Sequence, residues 1–113
     1  MGQAPLELLK GTLDILILKT LSRGPLHGYG VSRWLRETTE DAFQVEEGAL
    51  YPALRRLEKK GLVASHWGVT DTGRDAKFYA LTREGERELA SGLRSWGRYA
   101  RAMARVLDAP AAG

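Results

Sequence analysis

The chain has 113 residues, 43% of them hydrophobic and 27% charged, with a net charge of +3 and an isoelectric point near 9.4. That bounds it to one domain with a modest core, near the size at which a partner subunit aids stability, and the absence of cysteine excludes a disulfide scaffold and thiolate zinc ligation. The longest apolar run, Leu13 to Leu18, is broken by Asp14 and followed by Lys19, short of the ~20 residues a membrane span needs. No signal-peptide pattern opens the chain, so a cytoplasmic protein without a membrane partner is expected.

In chain order, Met1 to Pro5 is too small and polar to order itself, and Pro5 suits the first turn of a helix running from about Leu6 to Ser22. Leu6, Leu9, Leu13 and Leu16 form one apolar stripe, and Leu8, Ile15 and Leu18 another on a different side. One monomer's core uses one such face comfortably, so the second points to a domain-crossing role or a subunit contact. Arg23-Gly24-Pro25 breaks the helix, and H-G-Y-G from His27 opens a second one reaching about Thr38, with Val31, Trp34 and Leu35 as its apolar residues. Thr38 to Asp41 is a polar connector, after which Phe43 and Val45 anchor the approach to a third helix.

That third helix carries the main signal. Between Glu47 and Lys60, Leu50, Leu54 and Leu57 share one side while Arg55, Arg56, Lys59 and Lys60 lie on the other. Pro52 predicts a bend at Tyr51-Pro52, and Gly61 supplies a residue able to take the left-handed conformation that ends a helix. Four cations answered only by Glu58 suit a polyanion, and Tyr51, Arg55 and Lys59 at i, i+4 and i+8 make a polar stripe that fits a major groove. A solvated face of an ordinary amphipathic helix is the competing reading of the helix by itself.

Beyond Gly61 the period changes. Leu62 to Trp67 and Phe78 to Leu81 read as two strands around the glycine-rich tract G-V-T-D-T-G-R-D, a hairpin with Arg74 and Lys77 at its margins. The order defines an α+β, mostly α fold, a winged helix-turn-helix with a two-stranded wing. Thr82 caps a final helix in which Leu89, Leu93, Trp96, Ala100, Met103 and Leu107 recur at spacings of 4, 3, 4, 3 and 4, the geometry of a dimerisation seam. The expected division is a DNA-binding domain over 1–82, a dimerisation helix over 83–108 and a disordered tail over 109–113.

The stretches L-L-K-G-T-L-D-I-L-I-L, G-P-L-H-G-Y-G, E-G-A-L-Y-P-A-L-R-R-L-E-K-K-G-L and K-F-Y-A-L-T-R-E-G resemble the PadR-like transcriptional regulators over nearly the whole chain. The single final helix is similar to the short subfamily. The resemblance implies a homodimeric winged-helix repressor bound to double-stranded DNA at an inverted repeat. It implies Tyr51, Arg55 and Arg56 as reading positions, Tyr29 as a backbone contact, and Arg74 and Lys77 as wing contacts. Asp75 departs from the family, standing where relatives usually carry a base, and an acid beside phosphate is unfavourable.

Trp96 on the seam, flanked by Tyr99, is a candidate ligand site for a planar aromatic effector, with core packing as the competing reading. An enzyme is not expected, because His27 and His66 sit in separate segments with no nucleophile elbow or phosphate loop, and no metal or cofactor is implied. A dimeric winged-helix module that contacts protein through its basic face is the alternative function.

Overall fold

The structure, a computed structural model, describes residues 5–9 and 11–112. The expectation for the first four residues and that for Gly113 in the tail therefore fall outside the described residues. The element order is α1 Leu13–Leu21, β1 Leu26–His27, α2 Gly28–Thr38, α3 Glu47–Lys59, β2 Val63–Val69, β3 Asp75–Leu81 and α4 Arg83–Leu107. The core gathers Ile17, Leu18 and Leu21 of α1, Val31 and Leu35 of α2, Leu50, Leu54 and Leu57 of α3, Val63, Tyr79, and Leu89 of α4. The leucine stripe of α3 thus faces inward, as its spacing requires.

The first helix is shorter than its apolar pattern predicts. It begins at Leu13, because Gly11 takes φ +87° and turns the chain, while Thr12 donates its hydroxyl to Leu9 O at 2.7 Å. Residues 5–9 are not helical, and Leu6 N donates to Ala42 O at 2.8 Å, fastening this stretch to the connector after α2. Leu6 and Leu9 are therefore not on α1; they are 61% and 62% exposed.

The sheet also differs from expectation. It has three antiparallel strands in the order β1-β3-β2, with Leu26 opposite Tyr79 and His27 opposite Phe78. The two-stranded wing is thus extended by a two-residue strand too short to show a period of its own. His27 and His66, from separate segments, come to flank Phe78 at ring distances of 5.2 and 5.8 Å. His27 also caps α2: its Nδ1 accepts from Gly30 N at 2.9 Å.

The predicted bend at Pro52 does not interrupt α3, which runs on through that residue. Gly61 ends the helix at φ +77°, with Leu62 N donating to Leu57 O and Gly61 N to Glu58 O, the paired bonds of a Schellman motif. A joint then ties this end to the start of α4. Thr82 N donates to Leu62 O at 3.1 Å, the Thr82 hydroxyl donates to Gly61 O at 2.6 Å and accepts from Gly85 N at 3.0 Å. Gly85 fits because it has no side chain, since a Cβ there would sit 2.0 Å from Leu62 O. Among the described residues no helix is long and apolar enough to cross a membrane.

Candidate nucleic-acid interface

The outer side of α3 sorts its polar residues by what they touch. Arg55, Lys59 and Lys60 are exposed, and α3 carries its cations toward its C-terminal end, where the helix dipole favours them. Arg56 is placed differently from its expected reading role. Its Nη2 donates to Asp14 Oδ1 at 2.6 Å, tying α3 back to α1. Both partners are partly exposed, so this pair contributes at most ~1 kcal/mol; its effect is to hold the guanidinium to one side.

Glu58, read from sequence only as the lone acid among cations, organises the junction of helix and wing. Its carboxylate accepts from the Ser65 hydroxyl at 2.5 Å and lies 3.7 Å from Lys77 Nζ. Lys77, expected as a wing contact, is therefore turned toward α3, with its amine 5.9 Å from the Tyr79 ring centre. Arg74 stands at the exposed hairpin tip, where Gly73 at φ +83° makes the turn and Arg74 N donates to Thr70 Oγ1. Asp75 is exposed beside it, directly across from Val69.

Tyr51 is only half exposed. Its ring lies against Gly28 at the start of α2, where a Cβ would come 2.6 Å from Tyr51 Cε1 and 2.7 Å from its hydroxyl. The next residue, Tyr29, is 60% exposed, with its ring 6.3 Å from that of His27. Burial raises the pKa of Tyr51, helped by the Glu47 charge and the nearby Tyr79 phenol; burial likewise raises Tyr79, with Glu58 adding to the rise and Arg55 opposing it.

The stability contributed by keeping these phenols neutral is complete below the ordinary tyrosine value of 10.0 and is lost as pH climbs through the raised folded values. An ultraviolet phenolate titration is expected to show Tyr51 and Tyr79 ionising at higher pH in the folded protein than in denaturant. A folded-state titration of Tyr51 and Tyr79 that superimposes on the denatured one would remove this packing.

On β2, an outer strand of the sheet, Trp67 is 72% exposed, opposite Lys77 in the strand register.

Away from this face, Trp96 and Tyr99 stack at 5.9 Å between ring centres, tilted by 23°. They line an open groove of about 560 Å³ between α1 and α4, with Ile15, Leu18 and Leu62 among its other walls. Of the expected seam residues, Leu93, Trp96, Ala100, Met103 and Leu107 are exposed, whereas Leu89 is 8% exposed and belongs to the chain's own core. Its heptad position could not reveal this, because the joint at Thr82 and Gly85 brings the first turns of α4 against the body.

Three helices leading to a hairpin, with a cationic third helix, define a winged-helix DNA-binding transcription regulator. Residues 17–91 match the transcriptional regulator PadR-like family, and the chain belongs to that family, whose members regulate transcription rather than catalyse reactions. A transcriptional regulator of Mycobacterium tuberculosis is 32% identical over 96 residues, covering 84% of this chain and 85% of its own. The negative transcriptional regulator PadR of Bacillus subtilis is 29% identical over 81 residues, which span 72% of this chain but 44% of that longer protein. Among solved structures, a PadR-like transcriptional regulator from Bacillus cereus superimposes with a TM-score of 0.79 at 29% identity, covering 90% of this chain and 97% of its own.

Proposed function

We propose that this regulator is a cytoplasmic homodimeric repressor that reads an inverted-repeat operator with α3. The observation that carries the reading is the division on α3: Arg56 is held by Asp14, leaving Arg55 and Lys59 exposed on one stripe headed by Tyr51. Tyr29 and Arg74 flank that stripe as backbone contacts, and Lys77 supports it through Glu58. The Bacillus subtilis relative is described as a negative regulator, which supports repression here. In a twofold dimer the two half-sites lie about one helical turn, ~10 bp, apart or a multiple of it.

The exposed seam from Leu93 to Leu107 is the surface proposed to meet the partner, closing over the Trp96–Tyr99 groove. The groove's size falls within the ~300–1,000 Å³ of small-molecule sites, and its stacked rings favour a planar aromatic effector. Such a ligand would release DNA by binding one dimer geometry more tightly than the other.

The test uses an operator recovered by selection from random duplexes. Arg55→Ala is expected to lose about 1–3 kcal/mol of specific binding, roughly 5- to 150-fold, and to relax preference at one base pair. Arg56→Ala should keep the sequence preference and change stability by less than ~1 kcal/mol. Unaltered operator binding by Arg55→Ala, or an equal loss of specificity in both variants, would sink the assignment.

A further inference from the structure

The side of α4 turned away from the domain carries a charge pattern that operator reading does not use. At about 100° per residue, Arg83, Arg87, Arg94, Arg98, Arg101 and Arg105 fall within about 60° of arc, on the far side of the helix from the Leu93–Leu107 seam. All six are exposed. At 1.5 Å per residue the row is about 33 Å long, and α4 contains no lysine. Only Arg87 is answered locally, by Glu84; among the described residues no carboxylate comes within ion-pair distance of Arg94, Arg98, Arg101 or Arg105.

Like charges at i, i+4 oppose helix formation, and this row holds three such pairs, 83 with 87, 94 with 98, and 101 with 105. The helix dipole accounts for a cation in the last turn, such as Arg105, but not for Arg94 and Arg98. A solvated face would carry mixed signs. The row therefore fits a ligand whose own charge is regular, negative and extended.

We propose that this arginine row binds the phosphate backbone of double-stranded DNA, giving the protein a second, sequence-independent DNA surface on the side opposite the seam. The chemistry of the face selects among polyanions. Between the arginines it offers only small residues such as Ala90 and Ser91. Protein partners are held by aromatic and apolar anchors, single strands by aromatic stacking platforms, and membranes by an apolar stripe beside the basic one. This face has none of these, and the apolar stripe of α4 lies on the other side. A duplex, by contrast, presents a phosphate charge every ~1.7 Å of its axis and accepts guanidinium as a two-pronged donor. With DNA on the reading face and DNA on this one, a single protein joins two duplex segments.

The test uses random-sequence duplex as the probe, one copy tethered to a surface and a second carrying a dye. The wild-type protein is expected to retain the dye-labelled duplex at low salt. The variant Arg94→Gln, Arg98→Gln, Arg101→Gln and Arg105→Gln keeps helix-forming side chains and an intact seam. It should lower that capture at least tenfold and reduce the slope of log affinity against log salt by about 0.9 for each phosphate contact removed. Circular dichroism and sedimentation of the variant should match wild type, so that a loss is not one of folding or assembly. A variant with Arg55→Ala and Lys59→Ala should still bind random duplex through α4 with most of the wild-type slope, which separates failure of this surface from failure of the reading helix. The proposal is overturned if wild type retains no second duplex at low salt, if the four-glutamine variant retains it equally well, or if polyglutamate or anionic vesicles are bound while duplex is not.

Discussion

Gly85→Ala is expected to be among the most damaging single substitutions in the chain. The added Cβ would sit 2.0 Å from Leu62 O and 3.0 Å from Leu62 C, backbone atoms that cannot turn aside as a side-chain tip could. That same carbonyl accepts from Thr82 N, so relieving the clash means breaking the joint between the end of α3 and the start of α4. Overpacking of this severity should exceed ~3 kcal/mol, lowering the melting temperature by on the order of 12 °C or more for a domain of this size. The contrast is Gly48→Ala. Nothing lies within 4 Å of a Cβ there, the site is in α3, and alanine should stabilise by up to ~1 kcal/mol through helix propensity. Thermal melts that rank the two variants together would contradict the joint.

The second large effect concerns assembly. Leu93 and Met103 are exposed on α4, and a dimer closing on that seam would bury both. Replacing both with glutamate leaves the chain's own core intact, because the core contact of α4 is made by Leu89, while any partner would have to bury unpaired carboxylates. The double variant is expected to sediment as a folded monomer and to lose at least about 100-fold in operator affinity, since one half-site then binds without the effective concentration supplied by the other. Truncation is a cleaner probe after Ala90 than before Leu89, for the same reason. A double variant that remains a dimer, or a wild type that is monomeric at the concentrations where it binds DNA, would remove the seam as the subunit contact.

Periodicity showed what the strong local signals could show. The inward leucines of α3, the left-handed Gly61, the Thr82 cap and the hairpin around Gly73 all follow from residue type and spacing, and each is where the sequence places it. The start of α1 departs from its apolar pattern because Leu6 and Leu9 continue a helical stripe across Gly11, and one glycine in a left-handed conformation outweighs two leucines in register. β1 is legible only through its partner, because Leu26 and His27 become a strand by pairing with Tyr79 and Phe78, some fifty residues on. The site was hardest to read where charges compete for partners. A helical wheel puts Arg55 and Arg56 alike on the polar side; Asp14, 42 residues away, takes one of them, and Glu58 draws Lys77 in the same manner.

That division between neighbouring arginines bears on how such a regulator can diverge. Under the reading proposed for α3, position 56 seats the helix against α1, and positions 51, 55 and 59 carry its chemistry outward. Arg55 and Lys59 make no ion pair among the described residues, so exchanging them disturbs no contact of that kind inside the fold. A duplicated gene could drift to a new target sequence one outward residue at a time, each intermediate remaining folded, while the Asp14–Arg56 pair stays outside the changing set.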